Sequence, residues 1–245
     1  MKILLAPSES KRSGGKGRFR RNALLFEEEH ELRNDILDAY QALIDQGDEA
    51  TLAKLFGLKK PNDIARYRIG LDEAPVMPAI RRYDGVAFDY LDVETLPKEA
   101  QDYLDEHLIL FSNLFGPLRA SDPIPEYKLK QGAHIGDIAP ERYYKERTQT
   151  LLDAMMRDEE ILDLRAGFYD KFYKPTRPYT TLKFVKNGKV VSHWAKAYRG
   201  LVLRAVAQVG VDTLESFMKL PIEGLEIAEI QTKGHKTEIV YTIIA

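Results

Sequence analysis

The dipeptide Asn187-Gly188 lies inside the β-branched and aromatic stretch Thr180 to Trp194 and is the sharpest local signal in the chain. A type I′ turn needs positive φ at both central residues, which Asn-Gly tolerates best, so the stretch predicts a two-residue β-hairpin. In that register Lys186 faces Lys189. Like charges directly opposite are unfavourable, and two readings stay open: both cations are solvated at the hairpin end, or an anion lies between them. A helix over Ala195 to about Val209 follows, with Tyr198, Leu201, Val202 and Ala205 on its core face and Gly210 as its stop.

Elsewhere strands and helices mix along the chain. Lys2 to Ala6, Leu108 to Phe111 and Ile161 to Leu164 read as short buried strands, and Leu225 to Ile230 with Thr237 to Ile244 as a terminal strand pair. Helical spacing of Leu32, Ile36, Leu37, Tyr40, Leu43 and Ile44 predicts a helix over Glu27 to Gln46, with Glu27, Glu28 and Glu29 in its first turn. Shorter helices are predicted over Ala50 to Phe56, Asn62 to Tyr67, part of Met77 to Leu91, Pro97 to Glu106 and Pro140 to Met156. Gly116 to Gly136, rich in Pro, Gly and Asp, predicts an ordered loop region.

At 245 residues the chain is long enough for a substantial core, and no Gly/Ser- or Pro-rich linker divides it. The absence of cysteine excludes disulfides, thiolate catalysis, zinc-thiolate sites and iron-sulfur clusters. The apolar run at Met1 to Pro7 is too short for a signal peptide, and no stretch reaches the roughly 20 apolar residues of a membrane span, so a soluble cytoplasmic protein is expected.

Charge is segregated. Arg165 to Arg204 holds ten cations against the single anion Asp170, and Lys2 to Arg21 holds seven against Glu9, whereas the whole chain nets −2. A positive face on an acidic body suits a polyanion. The glycines at 14, 15 and 17 predict a mobile basic loop. Between the later cations lie Phe168, Tyr169, Phe172, Tyr173, Tyr179, Phe184, Trp194 and Tyr198. These rings have two readings, core packing or stacking on bases at about 1–3 kcal/mol per base.

Lys196 and Arg199, three apart at the start of a helix, can be solvated surface cations or can complete a phosphate site. Leu52 to Tyr67 has the outline of a helix-hairpin-helix, with Gly57, Lys59 and Lys60 in the hairpin, where backbone N–H groups and lysines grip a DNA phosphate; an ordinary αα-turn is the other reading. The histidines at 30, 107, 134, 193 and 235 have no metal-ligand spacing, and no glycine-rich phosphate-binding fingerprint occurs, so neither metal nor cofactor is expected. Glu9, Asp84, Asp122 and Asp163 are candidate proton-transfer groups that spacing does not rank.

Ala195-Lys196-x-x-Arg199-Gly200-x-x-x-Arg204 resembles the A-K-x-x-R-G signature of the YaaA-type peroxide-stress-response proteins. Leu110-x-Ser112-x-Leu114-Phe115-Gly116-x-Leu118-Arg119-x-x-Asp122 resembles their L-S-x-L-Y-G-x-L-R-x-x-D block, and Pro7-Ser8-Glu9-Ser10-Lys11 the P-S-E-x-K start of one branch. Other members begin S-P-A-K-T, so Glu9 stands near a lysine position and Lys11 is the candidate substitute; after Tyr127 the usual R-L-E-M-G is replaced by Lys128-Leu129-Lys130-Gln131-Gly132. The resemblance implies a single mixed α/β (α+β) domain over 1–245, of unusual topology, with a basic cleft and a helix-hairpin-helix-like element. It also implies a DNA-binding protein that limits free intracellular iron and oxidative DNA damage. Residues expected to contact duplex or bubble DNA are Lys11, Arg12, Arg119, Lys196, Arg199 and Arg204, with Gly57, Lys59 and Lys60. Two other readings are an enzyme acting on a nucleotide or nucleic-acid phosphate through the same cleft, with Glu9, Asp84 or Asp122 moving the proton, and direct iron binding, the least favoured.

Overall fold

The computed structural model describes residues 1–29, 31–191 and 193–244, and of His193 the backbone alone. His30, placed by spacing in the first long helix, and Ser192, placed in the hairpin stretch, lie outside the described residues, as does the side chain of His193.

In chain order the elements are strand β1 (Lys2–Leu5), β2 (Ser10–Lys11), helix α1 (Asn34–Gln46), α2 (Glu49–Phe56), α3 (Pro61–Arg66), β3 (Val76–Pro78), α4 (Ala79–Arg82), β4 (Tyr83–Asp84), α5 (Val86–Leu91) and α6 (Lys98–His107). Then come β5 (Leu108–Ser112), β6 (Gly116–Arg119), β7 (Pro123–Pro125), α7 (Pro140–Met155), β8 (Ile161–Asp163), β9 (Tyr179–Lys186), β10 (Lys189–Val190), α8 (His193–Val209), α9 (Leu214–Lys219), β11 (Leu225–Lys233) and β12 (Lys236–Ile243).

One mixed sheet organises them, in the order β11-β12-β9-β8-β1-β5-β6, with β10 paired to the far end of β9. The inner strands β12, β9, β8, β1 and β5 run parallel, and β11 and β6 close the two edges antiparallel. Parallel strands covered on both faces read as continuous apolar runs. Ile3, Leu4 and Leu5 of β1 and all of β5 are accordingly buried. The chain grows from β1 to β5 on one side, then returns to place β8, β9 and β12 on the other.

The hairpin forms as its turn demands. Asn187 and Gly188 take φ of 51° and 73°, and Lys186 lies opposite Lys189, both exposed. The second run ends at Val190, and Trp194 belongs to α8 instead.

Three predictions need correction. The helix expected from Glu27 begins only at Asn34, because the Arg33 guanidinium donates to Phe115 O (2.8 Å) and Pro117 O (2.9 Å), tying the chain to β6 just before the helix. Glu27, Glu28 and Glu29 lie in exposed turns, and Asp35 is the acid of the first turn. Gly116 to Gly136 contains β6 and β7, whose prolines sit on the edge of the main sheet or in a two-stranded ribbon with β3, where proline is tolerated. The basic loop is tethered by hydrogen bonds: Arg82, fully buried, donates to the carbonyls of Arg12, Gly14, Pro75 and Ile124, and Lys16 N–H donates to Val76 O (2.8 Å).

α8 lies against α5 at Gly200, where an added Cβ would stand 2.1 Å from the backbone carbonyl oxygen of Ala87. Only hydrogen fits there, so Gly200→Ala is expected to destabilise the fold by about 1–3 kcal/mol, the usual cost of overpacking. Urea unfolding would read this as a lower midpoint, and an unchanged midpoint would contradict it.

Candidate functional site

A cavity of about 440 Å³ opens where β1 and β8 end. In open α/β sheets ligands bind beyond the carboxyl ends of the strands, at the point where the strand order reverses. Here the reversal falls between β1 and β8, and the cavity walls include Leu5, Ala6 and Pro7 from the first and Leu164 from the stretch just after the second. Gly85 to Phe88, Gln131 and Tyr169 add further lining, and α8 contributes Lys196 and Arg199.

The two cations differ in setting. Lys196 is exposed. Arg199 is half-buried, and among the described residues no hydrogen bond or ion pair holds its guanidinium. Burial lowers its pKa from the ordinary value, opposed by the Asp163 carboxylate, but an arginine stays charged in any case. Asp163 is itself engaged by Arg165, through Nε (2.9 Å) and Nη2 (2.7 Å).

Glu9 forms the acidic side of the cavity. Its Oε1 accepts the Gln131 N–H (3.2 Å), and Lys128 Nζ lies 3.6 Å from Oε2. Lys11 sits beneath this loop, not in its opening: it is buried, donates from Nζ to the carbonyls of Ser8 and Glu9 (both 3.2 Å), and lies 4.1 Å from the Tyr127 ring centroid. Burial, reinforced by Lys128, brings its pKa down to about 7.

The remaining candidates are spread over the fold. Arg12 stands 3.7 Å from Asp84 on the exposed flank of the basic loop. Arg119 lies at the start of the β5–β6 pair, opposite Ile109, away from the strand ends that frame the cavity, and 3.7 Å from Asp122. Arg204 donates to Leu91 O and Asp92 O at the end of α5 and to Thr95 Oγ1. Gly57 closes α2 in the left-handed conformation, with Lys59 and Lys60 exposed between α2 and α3. This turn joins the cavity indirectly, because Lys130 N–H donates to Leu55 O and the same segment reaches Glu9 through Lys128 and Gln131.

Of the candidate carboxylates only Glu9 faces the cavity. Asp122 is buried and accepts the N–H groups of Leu25 (2.8 Å) and Arg119 (2.9 Å), a bracing role. The aromatic block is mostly core: Tyr169, Phe172, Tyr173, Tyr179, Phe184 and Tyr198 are buried, Phe168 is half-buried, and Trp194 is 52% exposed. Among the described residues no group of three or more His, Asp or Glu converges on a metal position, and no helix is long and apolar enough to cross a membrane.

The family model of the peroxide stress protein YaaA matches residues 1–231. The chain belongs to this family. It is similar to an uncharacterized protein of Campylobacter jejuni, 45% identical over 245 residues and 100% of both chains. A UPF0246 protein of Corynebacterium glutamicum is 35% identical over 219 residues, 84% of this chain and 85% of the other, and a UPF0246 protein of Streptomyces coelicolor is 29% identical over 220 residues, 86% and 84% respectively.

The motifs that carry the YaaA resemblance divide by task. In A-K-x-x-R-G, Lys196 and Arg199 enter the cavity while Gly200 admits α5. The L-x-S-x-L-F-G block is scaffold: Ser112 Oγ accepts the N–H groups of Leu114 (3.2 Å) and Phe115 (2.9 Å) and meets Tyr127 OH at 2.8 Å, which meets Tyr83 OH at 3.0 Å. What spacing could not reveal is Gln131, Tyr169 and Gly85 to Phe88 as cavity lining, since they come from distant segments.

The low pKa of Lys11 has a stability consequence. Between its folded value near 7 and its unfolded value of 10.5 the unfolded chain binds a proton that the folded chain lacks, so this group makes stability rise with pH there. Relative to Lys11→Met, the wild-type chain should gain up to about 1.4 kcal/mol per pH unit between pH 7 and 9. Paired urea titrations at the two pH values test this, and parallel pH profiles would refute it.

Proposed function

We propose that this protein serves the peroxide stress response as a cytoplasmic DNA-binding protein that holds DNA phosphate at the β1/β8 cavity and so limits oxidative DNA damage. The observation that carries the reading is Arg199, a half-buried guanidinium without a partner among the described residues, set beside Lys196 in one concave opening. A desolvated cation left without an anion in the protein is suited to an anion from outside, and arginine suits phosphate oxygens in particular. The α2–α3 turn, with Gly57, Lys59 and Lys60, supplies a second backbone contact in this reading, coupled to the cavity through Lys128 to Gln131. Control of free iron rests on the family resemblance alone.

Phosphate contacts make binding salt-dependent and only weakly sequence-dependent. Fluorescence anisotropy with labelled duplex, bubble and single-stranded DNA should show a steep loss of affinity with rising salt. Lys196→Gln or Arg199→Gln should each reduce the slope of log affinity against log salt by about 1. Lys196→Glu and Arg199→Glu should weaken binding at least about tenfold at low salt, since a phosphate contact becomes a repulsion. Unchanged affinity in both charge-reversed proteins would defeat the reading.

A further inference from the structure

The cavity is built in two levels. Its floor is apolar, made by the half-buried Ala6, Pro7 and Ala87 over the buried Leu5, Phe88 and Leu164, and its rim is polar, with Ser8, Glu9, Lys196 and Arg199. A volume of about 440 Å³ lies in the range of roughly 300–1,000 Å³ typical of small-molecule sites. A stacked duplex presents its phosphates on a broad convex surface and keeps its bases inside, so it has nothing to place on an apolar floor. A ligand with one anionic end and one flat, weakly polar end does.

Glu9 narrows the choice. Its carboxylate is acceptor-only, and although Oε1 takes the Gln131 N–H and Oε2 lies 3.6 Å from Lys128 Nζ, two oxygens carry about four lone-pair sites, so it keeps acceptor capacity for a donor in the cavity it lines. That charge disfavours a second phosphate close by and favours N–H donors, such as the exocyclic amino groups of guanine, adenine and cytosine. Thymine presents its ring N–H between two carbonyls, which a carboxylate repels.

From this arrangement we infer that the cavity holds one unpaired nucleotide, its phosphate on Lys196 and Arg199 and the donor edge of its base on Glu9. The inference rests on the phosphate reading above and specifies its occupant. The nucleotide has two sources: a free mononucleotide, or a nucleotide of a DNA strand that is unstacked or terminal. Unstacking is least costly where pairing is already broken, so the second source makes bubble DNA a better ligand than intact duplex.

Calorimetric titration of the full chain with dGMP, dAMP, dCMP, dTMP and inorganic phosphate tests the proposal, together with displacement of labelled bubble DNA by each. The three amino-bearing nucleotides should bind more tightly than inorganic phosphate, and more tightly than dTMP by about tenfold, the discrimination that paired hydrogen bonds to a base edge supply. Glu9→Gln should narrow the gap between dGMP and dTMP. Arg199→Glu, and independently the exposed-site variant Lys196→Glu, should abolish binding of all four while thermal unfolding stays cooperative. If no mononucleotide binds, or all bind no better than inorganic phosphate, the nucleotide pocket is overturned. Should Arg199→Glu still weaken DNA in that case, the phosphate reading survives without it. Mononucleotide binding with no DNA affinity at low salt upholds the pocket, assigns it to free nucleotides, and removes the DNA reading.

Discussion

The contact between Gly200 and the Ala87 carbonyl sets the distance between α8 and α5, and the site depends on that distance. α5 starts at the rim of the cavity, directly after Gly85, and α8 carries the two cations that overlook the ends of β1 and β8. A larger residue at 200 would push α8 outward and lift Lys196 and Arg199 off the strand ends. Arg204, one helical turn further on, clasps the other end of α5 through the carbonyls of Leu91 and Asp92. The signature that a sequence reader treats as a row of cations is in three dimensions two cavity-facing cations, one steric allowance and one clasp.

The positive block from Arg165 to Arg204 shows why linear charge misleads. Arg165 is consumed by Asp163, Arg177 donates to Met156 O, Lys183 lies 3.8 Å from Glu238, and Arg204 is bound to α5. Guanidinium groups have five donors and no acceptor, so buried arginines end on carbonyls and carboxylates wherever loops leave these unsatisfied. Counting cations along the chain cannot distinguish such braces from a cavity-facing residue like Arg199.

Local signals were legible where the physics is local. The Asn187-Gly188 turn, the apolar runs of β1, β5 and β8, and the stop at Gly210 with φ of 69° all follow from neighbouring residues. The late start of α1, the strand character of β7, and the place of the cavity all follow from partners far away in sequence: Phe115 for Arg33, Val76 for Pro125, β8 for β1. Strand order decides where a parallel sheet binds ligands, and nothing in one sequence states the order. Of the cavity lining, Lys196 and Arg199 stand out in sequence by their motif and Glu9 as a carboxylate without its neighbours, whereas Gln131 carries no signal because its contact is made by a backbone N–H.

Arg82 gives the basic N-terminal loop a character its composition conceals. Glycines usually keep a segment adaptable, but Gly15 has its Cα so near the Val76 carbonyl that an added Cβ would lie 2.5 Å from the oxygen, and one guanidinium collects carbonyls from both sides of the loop. The conformational entropy of these glycines is therefore given up when the chain folds. In the DNA-binding reading proposed above, a polyanion would meet Arg12 and Lys16 on a surface already ordered, with little further loss on contact. Such a loop presents its charge as a fixed wall, which in that reading would favour ligands whose shape already fits, where a free arm would wrap any strand that came near.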